Sequence, residues 1–139
     1  MPDLVWGQSD RAKVRSVEDL DRLVDQLTSE ASEGLPFAVE LYIRDGTGMY
    51  IVVGRQESHV EFFSAHSHPP VIGCRGPWDD DDLVEFTYRG QYSELPKRFT
   101  VPISDAREAL RRFFQTGKRP DNIAWNDSRL TAGSTTDCS

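Results

Sequence analysis

The length, composition and charge describe one ordinary globular domain. The chain has 139 residues, of which 37% are hydrophobic and 28% are charged, and its formal net charge is −7. No apolar run approaches the roughly 20 residues that a membrane helix requires, the N-terminus lacks a secretory pattern, and two cysteines are too few for a disulfide framework. We expect a single soluble, cytoplasmic domain over residues 1–127 and a flexible polar tail over residues 128–139.

The charge is unevenly distributed along the chain. Residues 97–120 carry seven Lys or Arg against Asp105 and Glu108, a sum of +5; because the whole chain carries −7, the remaining residues sum to −12. Such an excess argues against nucleic-acid binding over most of the surface, since phosphate contacts require clustered Lys and Arg. The excess of negative charge is suited to binding a basic partner protein. Alternatively, it only keeps the protein soluble.

The first part of the chain predicts a short strand over residues 3–7 and an amphipathic helix over residues 17–31. Ser16 and Asp19 resemble a capping box at the start of this helix. Its apolar residues recur at helical spacing and predict one buried face. They are Val17, Leu20, Leu23, Val24, Leu27 and Ala31.

The middle of the chain changes to the two-residue period of a half-buried strand. Alternation predicts this strand at 37–43, and a second strand is expected at 49–54 after the turn at 45–48. A third strand is expected near 59–64. The segment His66–Pro70 is expected to be irregular, because proline lacks an amide donor and biases the residue before it away from helix.

Further strands are predicted before a second helix. In order, we expect a weak strand at 71–74, a loop at 76–82, a strand at 83–89, a turn at Arg89-Gly90, a strand at 91–95 and a strand through Phe99, Val101 and Ile103. Trp125 is expected to be buried in a final strand at 123–125, whereas Trp78 is expected to be exposed.

The second helix is predicted over residues 105–116. Ser104 is placed to be its N-cap, and Gly117 can take the left-handed conformation that ends a helix. One face carries Ala106, Ala109, Leu110, Phe113 and Phe114. Consecutive strands with short turns and two amphipathic helices predict an α+β fold, an antiparallel β-sheet covered by the two helices.

An acidic stretch near residue 80 is the first candidate for a binding site. Four adjacent carboxylates diverge and lack the spaced ligands of a calcium loop, so the stretch is either a solvated loop or an electrostatic docking patch for a basic protein, with Trp78 as an aromatic anchor. The candidate partner-binding residues are Trp78, Asp79, Asp80, Asp81, Asp82 and Glu85.

A metal site is the alternative interpretation. His59, His66, His68 and Cys74 include residue types that bind transition metals, which would make the chain a small metal-dependent enzyme or metal-binding protein. No nucleophile elbow, phosphate-binding loop or dinucleotide fingerprint accompanies them. We therefore expect no catalytic residue, no metal and no cofactor.

The C-terminal half contains a longer signature: S-E-L-P at 93–96, V-P-I-S-D-A-R-E-A-L-R-R-F-F-Q-T-G-K-R-P at 101–120 and I-A-W at 123–125. It resembles a family of small bacterial immunity proteins of polymorphic toxin systems, often paired with deaminase-fold toxins. Tyr92 stands where this family often has tryptophan.

The resemblance implies a non-enzymatic protein that neutralises a cognate toxin, with no nucleic acid and no membrane as partner. A toxin that acts on nucleic acid would offer a basic active-site groove to an acidic inhibitor. The signature residues would then build the scaffold. Specificity would lie in the segments 55–60 and 65–82 and at the Arg89-Gly90 tip.

Overall fold

The computed structural model describes residues 2–44, 46–64, 67–74, 76–78 and 80–126. The elements are β1 (Asp3–Trp6), β2 (Asp10–Lys13), α1 (Val17–Ala31), β3 (Phe37–Arg44), β4 (Thr47–Val53), β5 (Glu57–Ser58), β6 (Val60–Ser64), β7 (Ser67–Cys74), β8 (Leu83–Tyr88), β9 (Gln91–Pro96), a 3₁₀ turn (Lys97–Phe99), β10 (Val101–Pro102), α2 (Ile103–Thr116) and β11 (Ala124–Trp125). In these ranges neither helix is long and apolar enough to cross a bilayer.

The strands form one large sheet and one small one. The large sheet runs β11-β7-β6-β4-β3-β1-β2, and these neighbours are all antiparallel. The β8–β9 hairpin lies off this path. It joins the large sheet through a single parallel pairing of β8 with β3, between Thr87 and Phe37. β5 and β10 form the small sheet. The mostly antiparallel α+β fold predicted from the sequence is confirmed.

The predicted start of α1 is confirmed by its hydrogen bonds. The Ser16 side chain accepts from the Asp19 amide at 3.1 Å. The Asp19 carboxylate accepts in turn from the Arg15 amide at 3.1 Å. Two of the amide donors at this helix end are therefore satisfied by side chains.

The predicted start of α2 is wrong by two residues. The helix begins at Ile103 after Pro102, and the exposed Ser104 lies inside the first turn without capping it. The Ile103 amide donates instead to the Gln56 carbonyl at 2.7 Å, so a distant segment replaces the side-chain cap. The predicted end is correct, since Gly117 has φ +72° and its amide donates to Phe113.

Two strand predictions also need correction. Residues 67–70, expected to be irregular, belong to β7; His66 lies outside the described residues. At this end β7 pairs with β6 across a register shift, and β11 reaches only Gly73 and Cys74, so the prolines occupy an edge position that tolerates them. The strand predicted through Phe99 and Ile103 is reduced to β10, between the 3₁₀ turn and α2.

The main hydrophobic core joins both helices to the sheet. Leu20, Val24 and Leu27 of α1 and Leu110 and Phe113 of α2 share it with strand residues. The strand residues are Val39, Leu41, Met49, Ile51, Val53, Val60 and Phe62, which occupy alternate positions and so share one face. Trp125 is 4% exposed and donates its indole N–H to Pro120, as expected of a core residue.

A second, smaller core lies on the opposite face of the sheet. Ala38, Tyr50 and Val52 pack there against Phe86 of β8, with Phe63, Tyr88 and Leu95 around them. All seven residues of β4 are buried as a result. The expectation of a half-buried strand at β3 is therefore wrong, because the β8–β9 hairpin covers part of the face that alternation assigned to solvent.

Candidate functional site

The acidic segment, residues 80–82, is held in place by backbone hydrogen bonds to the 3₁₀ turn that follows β9. The Lys97 amide donates to the Asp82 carbonyl at 2.9 Å, and the Arg98 amide donates to the Asp80 carbonyl at 3.1 Å. Within the segment, the Asp82 amide donates to the Asp80 carboxylate at 3.1 Å. All three aspartates remain exposed, so the backbone is anchored while the carboxylates face outward.

The basic residues that follow β9 lie beside this acidic segment. The Arg98 Nε lies 3.1 Å from an Asp81 carboxylate oxygen, and its guanidinium lies 4.9 Å from the centre of the Phe99 ring. Part of the acidic charge is thus offset by the positive block at 97–120, although such an exposed ion pair contributes little to stability. Lys97 and Arg98, at the start of this positive block, are thus separate from the acidic segment in the sequence but adjacent to it in space.

The predicted site residues differ in their surroundings. Asp80, Asp81 and Asp82 are exposed, and Glu85 is exposed on β8. Trp78 is partly buried, so the expectation that it is exposed is wrong. Asp79 lies outside the described residues. The fold brings Asp82 and Glu85 to one cleft, whereas Asp80 and Asp81 contact the 3₁₀ turn beside it.

This first cleft has a volume of about 640 Å³. It is lined by Arg55, Glu57, Asp82, Leu83, Val84, Glu85 and Lys97. Three acidic residues, Glu57 of β5 and Asp82 and Glu85 at β8, therefore line one cleft together with two basic residues. Glu57 was not predicted as a site residue, although it falls in the segment 55–60 in which the resemblance places specificity. The cleft is suited to a polar, charged protein surface rather than to an apolar ligand.

A second cleft of about 500 Å³ is bordered by β4, β6 and both strands of the β8–β9 hairpin. Its lining comprises Tyr50, Glu61, Phe86, Tyr88, Ser93, Glu94 and Leu95. Burial raises the pKa of Glu61, which shares a hydrogen bond with Tyr50. This cleft was not predicted from the sequence. The hairpin residues that line it with Glu61 begin at Phe86, 25 positions later in the chain.

A buried carboxylate ties the hairpin to the sheet. Glu40 is 1% exposed; one of its oxygens accepts from the Tyr42 and Tyr88 hydroxyls, both at 2.6 Å, and the other accepts from Arg89 Nε at 2.7 Å. Burial and the bond to Glu40 raise the pKa of Tyr42 to about 12. Both Glu40 oxygens are occupied, which indicates a structural cluster rather than a reactive acid.

The turn at Arg89-Gly90 was predicted and is confirmed. Arg89 has φ +51° and Gly90 has φ +81°, and two consecutive positive values are the signature of a type I′ hairpin turn. This conformation directs Arg89 back to Glu40, and its second nitrogen donates to the Tyr42 hydroxyl at 2.9 Å.

Of the residues of the metal alternative, the structure describes the side chains of His59 and Cys74, and these two belong to no ligand set; His66 and the side chain of His68 lie outside the described part of the structure. His59 is fully buried, its Nδ1 lies 3.1 Å from the Phe99 carbonyl oxygen and its ring packs on Phe86 at 5.0 Å. Burial lowers the pKa of His59 to about 4. Cys74 is buried on β7, 2% exposed. Among the described residues, no group of three His, Cys, Asp or Glu could hold a metal ion.

None of the curated proteins matches the chain significantly. The family model of immunity protein Imm1 matches residues 8–127. Since the match spans well over half of the chain, the protein belongs to the Imm1 family of immunity proteins.

Proposed function

We propose that this protein neutralises a cognate bacterial toxin of a polymorphic toxin system by binding it through an acidic surface. Membership of the Imm1 family implies the toxin partner. The observation that carries the proposed site is the meeting of Glu57, Asp82 and Glu85 at one cleft, beside the exposed Asp80 and Asp81. Trp78, partly buried next to the acidic segment, would add apolar contact area.

In this mechanism the protein inhibits the toxin by occupying its substrate groove, and the protein itself catalyses no reaction. A toxin of the deaminase type that acts on nucleic acid needs a basic groove for the phosphate backbone. An acidic surface seated in that groove would exclude the substrate. Long-range attraction between the two charged surfaces would also speed association. No cofactor, nucleic acid or membrane takes part in this proposal.

The rest of the fold is the scaffold. We infer that α1 and α2 cover one face of the sheet, which leaves the hairpin side to the partner; the shared main core supports this inference. We assign the domain to residues 1–127 and the tail to residues 128–139, which lie outside the described residues. We place the protein in the cytoplasm, where a nucleic-acid-targeting toxin would act; fractionation of producing cells tests this placement.

Binding is tested with the protein encoded by the neighbouring reading frame, first by rescue of a sensitive cell and then by measuring Kd. Replacing Asp80, Asp81 and Asp82 together by Asn keeps their size and removes three charges. We expect Kd to rise at least about tenfold at low salt, with a smaller change at high salt because screening already weakens the attraction.

The matched control removes three charges from a different place. Glu18, Glu30 and Glu33 are exposed on or next to α1, and their replacement by Gln gives the same net charge as the Asn variant. This control is expected to bind nearly as tightly as the wild type. Equal weakening by both variants would contradict a local acidic site, and absence of rescue and of a complex would contradict the neutralising function itself.

A further inference from the structure

The β8–β9 hairpin has an outer face that the two cores leave open. Its register pairs Leu83 with Pro96, Glu85 with Glu94, and Thr87 with Tyr92. Since side chains alternate along each strand, these three pairs lie on one face, whereas Val84, Phe86 and Leu95 lie on the inner face, where Phe86 and Leu95 meet the smaller core.

The central pair on the outer face brings two carboxylates together. Glu85 and Glu94 are directly opposite each other and both are exposed. Like charges in this position destabilise a hairpin. In the described part of the chain, no Lys or Arg forms an ion pair with either carboxylate, although Lys and Arg offset many other acidic side chains.

A tyrosine hydroxyl is shared between these carboxylates. Tyr92 donates to Glu94 at 2.9 Å and also interacts with Glu85. The bond to Glu94 raises the pKa of Tyr92 to about 12. One hydroxyl supplies a single proton, so most of the acceptor positions on the four carboxylate oxygens are left to solvent or to a partner.

Apolar groups border the carboxylate pair on both sides. Leu83 is 55% exposed and Tyr92 is 57% exposed, and they are two of the three exposed large hydrophobic residues in the described segments. Leu83 lies with Pro96 on one side of the glutamates, and Tyr92 lies with Thr87 on the other. Two carboxylates flanked by apolar groups are complementary to a side chain that has a positive charge at the end of an apolar chain of methylene groups.

We propose that the outer face of the β8–β9 hairpin is a docking surface for an arginine side chain of the toxin. The guanidinium would bridge Glu85 and Glu94, its face would stack on the Tyr92 ring, and its methylenes would cover Leu83. The planar fork of arginine can serve two carboxylates at once, which the compact ammonium of lysine does less well.

This inference rests on the proposed toxin binding, and it adds which residues bind and which toxin side chain they bind. It extends the acidic site along β8, because Glu85 also lines the first cleft. It also assigns a binding role to Glu94, a signature residue expected to build the scaffold, and to its neighbour Tyr92.

The test uses two single variants, Glu94→Gln and Tyr92→Ala, with Glu33→Gln as the charge control. Each hairpin variant is expected to raise Kd for the toxin about tenfold, the equivalent of losing one well-placed charged contact. Free Glu94→Gln protein is expected to unfold about 1–3 °C above the wild type, because the like-charge repulsion is removed. A purely structural glutamate would instead lower the unfolding temperature.

A double-mutant cycle identifies the partner group. Each surface arginine of the toxin is replaced by Lys, and one replacement is expected to weaken wild-type binding while adding little to the effect of Glu94→Gln. Unchanged Kd for both hairpin variants, or no coupled toxin arginine, would overturn the docking surface. If the hairpin variants have no effect but replacing Asp80, Asp81 and Asp82 by Asn still weakens binding, the proposed function stands without the arginine docking surface.

Discussion

At the scale of single residues, Glu40 shows how a polar side chain comes to be buried. Its carboxylate stands on the sheet face that alternation assigns to solvent, yet it is 1% exposed. Its partners Tyr88 and Arg89 lie almost fifty positions later in the chain and reach it through the hairpin turn. A buried charge with partners on both oxygens is a structural requirement, since removing the charge leaves those partners unsatisfied.

Replacing Glu40 by Ala is therefore expected to lower the free energy of unfolding by about 3 kcal/mol or more. Two hydroxyls and the Arg89 guanidinium would lose their acceptor. Urea unfolding followed by circular dichroism measures the change. Glu30→Ala, at an exposed position of α1, is the control and should change stability by less than about 0.5 kcal/mol. A loss as small as that of the control would show that Glu40 is not essential to the hairpin.

At the scale of elements, the acidic segment depends on a close approach at Gly76. A Cβ built there would lie 2.5 Å from the Thr100 carbonyl oxygen and 3.1 Å from the Val101 Cα. The Gly76 amide donates to the same Thr100 oxygen at 3.2 Å. Any side chain at this position would push the segment that leads to the aspartates away from β10, so Gly76 positions the candidate site as well as the fold.

Gly76→Ala is expected to lower the free energy of unfolding by about 1–3 kcal/mol, the usual cost of forced overpacking. Gly34→Ala is the matched control, because a Cβ at Gly34 meets no heavy atom within 4 Å; it should be neutral or slightly stabilising. Chemical denaturation of both variants measures the difference. Equal stability of the two variants would contradict the contact at Thr100.

The elements also show where local patterns succeed. The Ser16 cap, the Gly117 end and the Arg89-Gly90 turn depend on residues close in sequence, and all three are confirmed. The start of α2 is misplaced because its first amide bonds to Gln56, nearly fifty residues earlier. β2 was not predicted, since its sequence D-R-A-K has no apolar alternation and the strand forms by pairing with β1.

At the scale of the whole molecule, the buried His59 links stability to pH. Burial lowers its pKa from 6.5 to about 4 in the folded state. A lowered pKa means that the fold favours the neutral imidazole. Its contribution is therefore complete above pH 6.5 and is lost as the pH falls toward 4. Glu61 opposes this trend, because burial raises its pKa and acid favours its protonated form.

The free energy of unfolding is expected to fall by up to about 3 kcal/mol between pH 6.5 and 4 on account of His59. His59→Gln cannot titrate and should show a smaller pH dependence over this range, even if it is less stable at pH 7. Urea unfolding of both proteins at several pH values isolates the His59 contribution, because Glu61 is common to both. Parallel pH curves would show that His59 does not control acid stability.

The candidate site was only partly predictable. The acidic residues were found from their clustering in the sequence. The first cleft could not be predicted, because Glu57, Asp82 and Lys97 come from three separate segments. The interpretation of His59 as a metal ligand failed for the same reason, since the Phe86 and Phe99 contacts that bury it are 27 and 40 positions away.

The sequence by itself determined the element types, the caps and turns, the excess of negative charge and the family, because these depend on neighbouring residues or on the order of residues along the chain. Only the tertiary structure decided which charges meet, which face of the sheet is covered and which carboxylates stay exposed. Those properties depend on the path of the β8–β9 hairpin, whose contacts with β3, β4 and β6 join residues that are far apart in the chain.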